Sequence, residues 1–368
     1  MGSSDIIIVG GGVVGLTNAY FLAQKGWKVA VVDHQTTLKQ ASWAGAGIIP
    51  PGNTQLATNP REWLRAQSSE LFPSLSRELE SITGINNGYQ KCGGLECFET
   101  KNILQESLWE RELIHFQSKS HSEVPWLENQ SGHSYYFPDY AQIRNPWHLR
   151  ALLKACEVLK VKFFRNTEIT GLEINLDTIQ GVATRTGVIR GGNFLISAGA
   201  WSGKFLPDSG IQASIEPVQG QMILLQTNLP FKEIIISGKR YLVPRGDGKV
   251  LAGSTEEMIG FQTKTTSASR TDLLKFAQHM VPELKNASVL DHWAGLRPMC
   301  STQWPLIGQS PGWKNLYWAT GHFRSGLQTS PATALFISQL LCGEPTKFAG
   351  DCFINQPAEI PTESPFHS

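Results

Sequence analysis

DIIIVGGGVVGLTNAYFLAQKGWKVAVVDH, residues 5–34, is the stretch on which the fold turns. Residues 6–9 form an unbroken apolar run, as a parallel strand buried on both faces requires. Gly10, Gly12 and Gly15 follow in G-x-G-x-x-G spacing, and Leu16, Ala19, Tyr20, Leu22 and Ala23 recur at helical intervals. Gly26 stops the helix, a second apolar strand covers 29–32, and Asp33 stands about twenty residues beyond Gly12. The glycines have separate physical duties. Gly10 permits the tight turn, Gly12 lets a pyrophosphate approach the backbone around Val13 and Val14, and Gly15 lets helix and strand close together. The positive end of the helix favours the phosphate charge. Asp33 can accept hydrogen bonds from an adenosine ribose and its charge repels a 2′-phosphate; His34 follows it at the same end. A glycine-rich turn beside a solvated acid shares single pieces of this pattern, but not strand, turn, helix, strand and acid in order. The segment predicts dinucleotide binding and leaves NAD and FAD both open.

Next along the chain, residues 40–51 read QASWAGAGIIPP. Ser42, Ala44, Gly45, Ala46 and Gly47 are small enough to lay backbone against a large planar ligand, and Ile48 closes the run. A flexible loop would read the same way. Residues 59–83 have helical periodicity, 89–100 resemble a hairpin, and 101–119 suggest another helix. Asn145 is placed to cap a helix with Pro146 as its first residue, leading to a strand near 161–164. Hairpin material covers 169–185. Residues 193–203 then form a strand that opens into Gly199 and Trp201, at the carboxyl end where such sheets bind ligands. Alternating strands run from Ile215 to about Glu257. After them come a helix near 270–279, the strand NLYWAT, the loop GHFRSGL and a final helix near 330–341.

The prediction is an α/β fold: a discontinuous Rossmann-like nucleotide domain (1–85, 144–210, 295–350), a sheet-rich α+β substrate domain (86–143, 211–294), and a tail over 351–368. Composition excludes several functions. Lys and Arg total 32 against 31 acids, a net charge of +1, which argues against an extended nucleic-acid or anionic-membrane surface. The six cysteines (92, 97, 156, 300, 342, 352) form no CxxC pair and have no histidine cluster, so reduced thiols and a cytoplasmic setting are expected, with no metal site. The N-terminus lacks a basic n-region, and no run approaches the length of a membrane span.

Seven motifs in order, VGGGVVGL, ASWAGAGIIPP, ISAGAWSG, PVQGQM, YLVPRGDGKVLAGST, WAGLRPMC and GHFRSGL, resemble the D-amino-acid-oxidase superfamily of FAD enzymes, most closely its glycine oxidase branch linked to thiamine biosynthesis. The resemblance covers the chain to about residue 345. It implies non-covalent FAD, oxidative deamination of a small amino acid such as glycine, sarcosine or a small D-amino acid with oxygen as acceptor, and a homo-oligomer, often a tetramer. By position it makes Arg297 the carboxylate-binding arginine, Tyr241 a donor to the same carboxylate, and Arg324 a basic residue beside substrate and flavin. It places Gly321, His322, Phe323, Ser325, Gly326 and Leu327 with Arg324 in a loop under the flavin, where the following helix turns its positive end.

Two departures stand out. Many relatives carry a basic residue where VQGQ has Gln219, so one flavin-side charge is expected to be missing. Cys300 lies in the region where sarcosine oxidase relatives attach FAD, but its spacing to PLIG does not fit, and a buried thiol is expected. His292 and His322 have no nucleophile beside them and are read as packing or loop residues. Trp43, Met258, Phe261 and Trp304 can either line the substrate pocket or pack, and packing is the reading preferred for each. Two other functions fit the fold: a dehydrogenase passing electrons to a quinone or acceptor protein, and a tRNA-modifying oxidoreductase, which the neutral charge disfavours.

Overall fold

The computed structural model describes residues 4–34, 39–124, 126–127, 132–228, 231–354 and 356. The strand Ser4–Val9 lies at the centre of an eight-stranded sheet, parallel to Val29–Val32 on one side and Gly187–Ile196 on the other. Lys162–Phe164 and Leu316–Thr320 extend the parallel ladder, and Ile169–Asn175 and Thr178–Thr184 add an antiparallel edge. Alternation explains the burial. Ile6, Ile8, Val29 and Val31 face a layer that includes the helices Val13–Gln24, Pro60–Thr83, Asn145–Val158 and Gly326–Cys342, while Ile7, Val9, Ala30 and Val32 fill the core on the other face.

A second eight-stranded sheet runs in the order Ser288–Cys300, Ile215–Gln226, Lys249–Gly253, Arg240–Arg245, Ile234–Ser237, Gly94–Phe98, His133–Phe137, Gln117–Lys119. One face packs on the helix Ser267–Met280 through Ile223, Leu225 and Leu242. The other carries Met222, Ile236, Tyr241 and Leu251. The fold is thus α/β with a discontinuous nucleotide-binding sheet and a sheet-rich second layer, as predicted.

Several local readings need correction. Residues 89–100 are not a hairpin: Gln90–Lys91 pairs with Ala141–Gln142, whereas Gly94–Phe98 joins the second sheet beside His133–Phe137 and Ile234–Ser237. Gly93, at φ +74°, turns the chain from one sheet to the other. The helix read over 101–119 spans Ile103–Arg111, and Gln117–Lys119 is a strand. The expected boundary at 294/295 falls inside Ser288–Cys300, which stays in the second sheet throughout, paired with Ile215–Gln226. Within the stretch read as a tail, Phe353 is fully buried, with its ring centroid 5.5 Å from that of Phe336. Residues 355 and 357–368 lie outside the described residues. No helix among the described residues is long and apolar enough to cross a membrane.

Candidate active site

A cleft of about 370 Å³ runs from the carboxyl ends of Ser4–Val9 and Gly187–Ile196 to the inner face of the second sheet. Its first end is made of backbone. Gly10 takes φ +110°, and a Cβ there would lie 2.4 Å from Ser197 O. Gly12 caps the helix Val13–Gln24 without any side-chain cap; the Val13 N–H donates to Ser42 Oγ at 3.0 Å. The Gly11 N–H donates to Asp33 Oδ2 at 2.5 Å. Positive helix end and acid therefore stand on one rim, as a pyrophosphate with an attached ribose requires. Gly12, Val13, Val14, Asp33, His34, Gly199 and Trp201 all line this end, and the His34 and Trp201 rings lie 5.1 Å apart.

The middle wall is the turn holding Ser42, Ala44, Gly45, Ala46, Gly47 and Ile48. Three distant donors hold it: Asn145 Nδ2 to Ser42 O (2.6 Å), Trp293 Nε1 to Ala44 O (3.1 Å) and Arg245 Nη2 to Ala46 O (2.8 Å). Two of them overturn or extend the sequence reading. Asn145 is not the cap but the first helical residue, with Arg144 at the cap position and the carboxamide turned inward. Arg245 was missed. It is buried, and its Nη1 donates to Gln142 Oε1 and Ile143 O. Burial, then the like charge of Arg144, brings its guanidinium down to about 9.

The far end is made of charged side chains. Arg297 Nη1 donates to Thr255 O at 3.1 Å and Nη2 to Ser254 Oγ at 2.7 Å. Its guanidinium lies across Gly220, where a Cβ would be 2.0 Å from Nη2. Burial lowers its pKa; Tyr241 opposes that, the like charge of Arg324 adds to it, and Glu256 opposes it less. Among the described residues no carboxylate stands within 4 Å of it as a salt-bridge partner. Tyr241 is buried beside it, its hydroxyl 3.7 Å from Met222 Sδ. Arg324 arrives from a loop stitched to the same strand, since the Phe323 N–H donates to Pro298 O at 2.9 Å. Arg324 Nη2 donates to Lys239 O at 2.7 Å and to Ser254 Oγ at 3.3 Å, and Nη1 lies 3.9 Å from Glu256. Burial raises the Glu256 pKa, but Lys239 and Arg324 outweigh it and hold the carboxyl below its ordinary value. The helix Gly326–Cys342 starts here without a side-chain cap, earlier than predicted, and Ser325, Gly326 and Leu327 line the cleft.

Not every predicted residue faces the cleft. Gly15 and Gly321 stand behind its wall. A Cβ on Gly15 would lie 1.9 Å from Gly10 O, and one on Gly321 would lie 3.2 Å from Cys300 Cβ, so both are packing positions. The missing charge at Gln219 is no loss to the cleft. Strand alternation turns Gly220 and Met222 inward and Gln219 to the other face, where its Nε2 donates to Gln262 O and Lys264 O. Cys300 is buried against Thr302, 3.1 Å away, and does not line the cleft. His322 bonds Thr333 at 3.1 Å, and burial pushes its imidazole down to about 3. Trp43 and Trp304 pack as read, but Met258 and Phe261 are exposed on a loop, and Phe261 rests on Trp201. Among the described residues no cluster of His, Cys, Asp and Glu could hold a metal ion.

Comparison with known proteins agrees with this arrangement. A family model described as FAD dependent oxidoreductase (DAO) matches residues 5–340. The chain is 34% identical to a glycine oxidase of Pseudomonas putida, over 93% of this chain and 95% of that one. It is 32% identical to a bifunctional ThiO/ThiG protein of a Nostoc species, over 92% of this chain and 52% of that one. The structure resembles that of glycine oxidase from Bacillus cereus with a TM-score of 0.89, at 27% identity, covering 96% of this chain and 99% of the other. With a glycine-lined helix end, an acid on the next strand and a whole-length match, this chain belongs to the FAD-dependent oxidoreductase family.

Proposed function

We propose that the protein is an FAD-dependent oxidase of a small amino acid, glycine, sarcosine or a small D-amino acid. With oxygen and water the substrate would give a 2-oxo acid, ammonia or an amine, and hydrogen peroxide. One observation carries the reading. A half-buried guanidinium with no carboxylate at salt-bridge distance among the described residues, Arg297, ends a cleft that begins at a dinucleotide turn. A half-buried cation in a cleft, held by neutral acceptors, calls for an anionic ligand.

FAD, when bound, supplies the acceptor for the hydride leaving the substrate Cα. The chain's own residues bind and orient. Val13, Ser42 and Asp33 would hold the nucleotide, and the turn 44–48 would receive the ring. Arg297 would take the substrate carboxylate with its planar fork, with Tyr241 fixing the angle and Arg324 adding charge. The start of Gly326–Cys342 would favour negative charge on the reduced cofactor. His322 would pack in the loop, its ring bonded to Thr333 and its pKa lowered by burial. The position of Cys300 behind the wall supports non-covalent attachment.

The two sheets would serve as the two functional halves, cofactor in 1–85, 144–210 and 295–350 and substrate in 86–143 and 211–294, with the substrate strand running on to Cys300. Similarity to ThiO/ThiG proteins favours a place in thiamine biosynthesis, and the family resemblance supports a cytoplasmic homo-oligomer, a tetramer. The test is spectroscopic. Purified protein should show a flavin band that glycine or sarcosine bleaches under nitrogen, with peroxide formed on admitting air. A colourless protein, or a band no small amino acid bleaches, would sink the proposal.

A further inference from the structure

We propose that Ser254 is a positioning residue that closes both guanidiniums of the far end on a single carboxylate; the inference rests on the amino-acid oxidase reading and deepens it. Ser254 Oγ accepts Nη2 of Arg297 at 2.7 Å and Nη2 of Arg324 at 3.3 Å. The residue is 3% exposed, so water does not compete for these bonds. A hydroxyl has two acceptor sites, and both are taken by guanidinium donors. A carboxylate in the same place would neutralise the pair. A neutral hydroxyl fixes the two nitrogens without adding a second counter-charge to that of Glu256, which lies 3.9 Å from Arg324 Nη1.

The surroundings leave Arg297 little freedom. Gly220 is its floor, since a Cβ there would lie 2.0 Å from the same Nη2 that reaches Ser254. Thr255 O holds the other nitrogen at 3.1 Å. Thr255 is itself tied to the neighbouring strand, its Oγ1 accepting the Gln221 N–H at 3.0 Å. Floor, stop and second acceptor define one plane for the fork. The two Nη2 atoms can be no further apart than their two bonds to Ser254 laid end to end, which directs both forks to one anionic group rather than two. Ser254 does not line the cleft, so it acts through the arginines and not on the ligand.

Acetate, a carboxylate that cannot be oxidised, is the probe, read by its perturbation of the bound flavin's absorption in the holoenzyme. Ser254→Ala should weaken acetate about tenfold and raise KM for glycine or sarcosine by a similar factor, with kcat within about threefold. In an Arg324→Met background the same change should cost about threefold or less, because half of what the hydroxyl organises is gone. Ser254→Thr, which keeps the hydroxyl, should stay within about threefold of wild type. Should the alanine variant not fold, Ser254→Cys, a weak acceptor, carries the same expectation. Unchanged acetate affinity and KM, or an equal factor in both backgrounds, overturns the positioning role. A wild-type protein that holds no flavin, or whose flavin ignores acetate, overturns instead the oxidase reading beneath it.

Discussion

At the Gly10–Val13 turn an anion would meet backbone: a glycine at positive φ, an uncapped helix end and a serine hydroxyl. At the other end it would meet two long side chains whose nitrogens converge on Ser254. The first is stiff, because its donors belong to a strand–turn–helix unit packed on both faces. The second is fixed by hydrogen bonds to side-chain tips, which can be broken without parting packed backbone. The difference teaches where tolerance should lie. Added volume at the backbone end has nowhere to go, whereas at the side-chain end it displaces the tip of a movable group.

The sharpest way to break this contrast is a matched pair of methyl additions. In Gly15→Ala the new Cβ would lie 1.9 Å from Gly10 O, which is backbone. Helix and strand must separate, and the expected outcome is loss of flavin uptake with about 3 kcal/mol less stability, read by thermal unfolding and flavin fluorescence. In Gly220→Ala the Cβ meets Arg297 at 2.0 Å, a side-chain tip. Flavin should be retained at near-normal stability while KM rises by about thirtyfold, roughly 2 kcal/mol of lost binding, in steady-state kinetics. Equal damage from the two substitutions would erase the distinction.

Acid gives the smallest effect and sharpens the picture. Burial pushes His322, in the loop at the arginine end, and His148, behind the middle turn, from 6.5 down to about 3. Between those values the unfolded chain binds a proton that the folded one does not. Their contribution is therefore fully present above pH 6.5 and is lost as pH falls toward 3. About 1 kcal/mol per histidine should be gone by about pH 5.5, seen as a lower unfolding midpoint, and His322→Asn should remove its share of the slope.

The backbone end was legible in the sequence because its requirements are local: a strand, three spaced glycines, a helix and an acid within thirty-odd residues. Arg297, Tyr241 and Arg324 were reached through resemblance, since an arginine's partners cannot be read from its neighbours in the chain. Asn145, Arg245 and Ser254 escaped. Asn145 satisfies a helix-start pattern and Arg245 sits beside a turn, yet what each holds lies 103 and 199 residues away. For Gln219 a signal was present: alternation along a strand with Gly220 and Met222 inward places it on the opposite face. For Met258 and Phe261, where packing is preferred over lining the pocket, residue type does not tell a core position from an exposed loop beside Trp201.

The weaving of the two sheets has a consequence for the molecule's history. The chain crosses between them repeatedly, and Ser288–Cys300 carries Arg297 while Trp293, on the same strand, grips the turn at Ala44. No continuous cassette contains either half, so recombination by cut and paste would leave torn ladders on both sides. Diversification of such a scaffold toward new metabolites must instead proceed by single replacements along the strands facing the cleft.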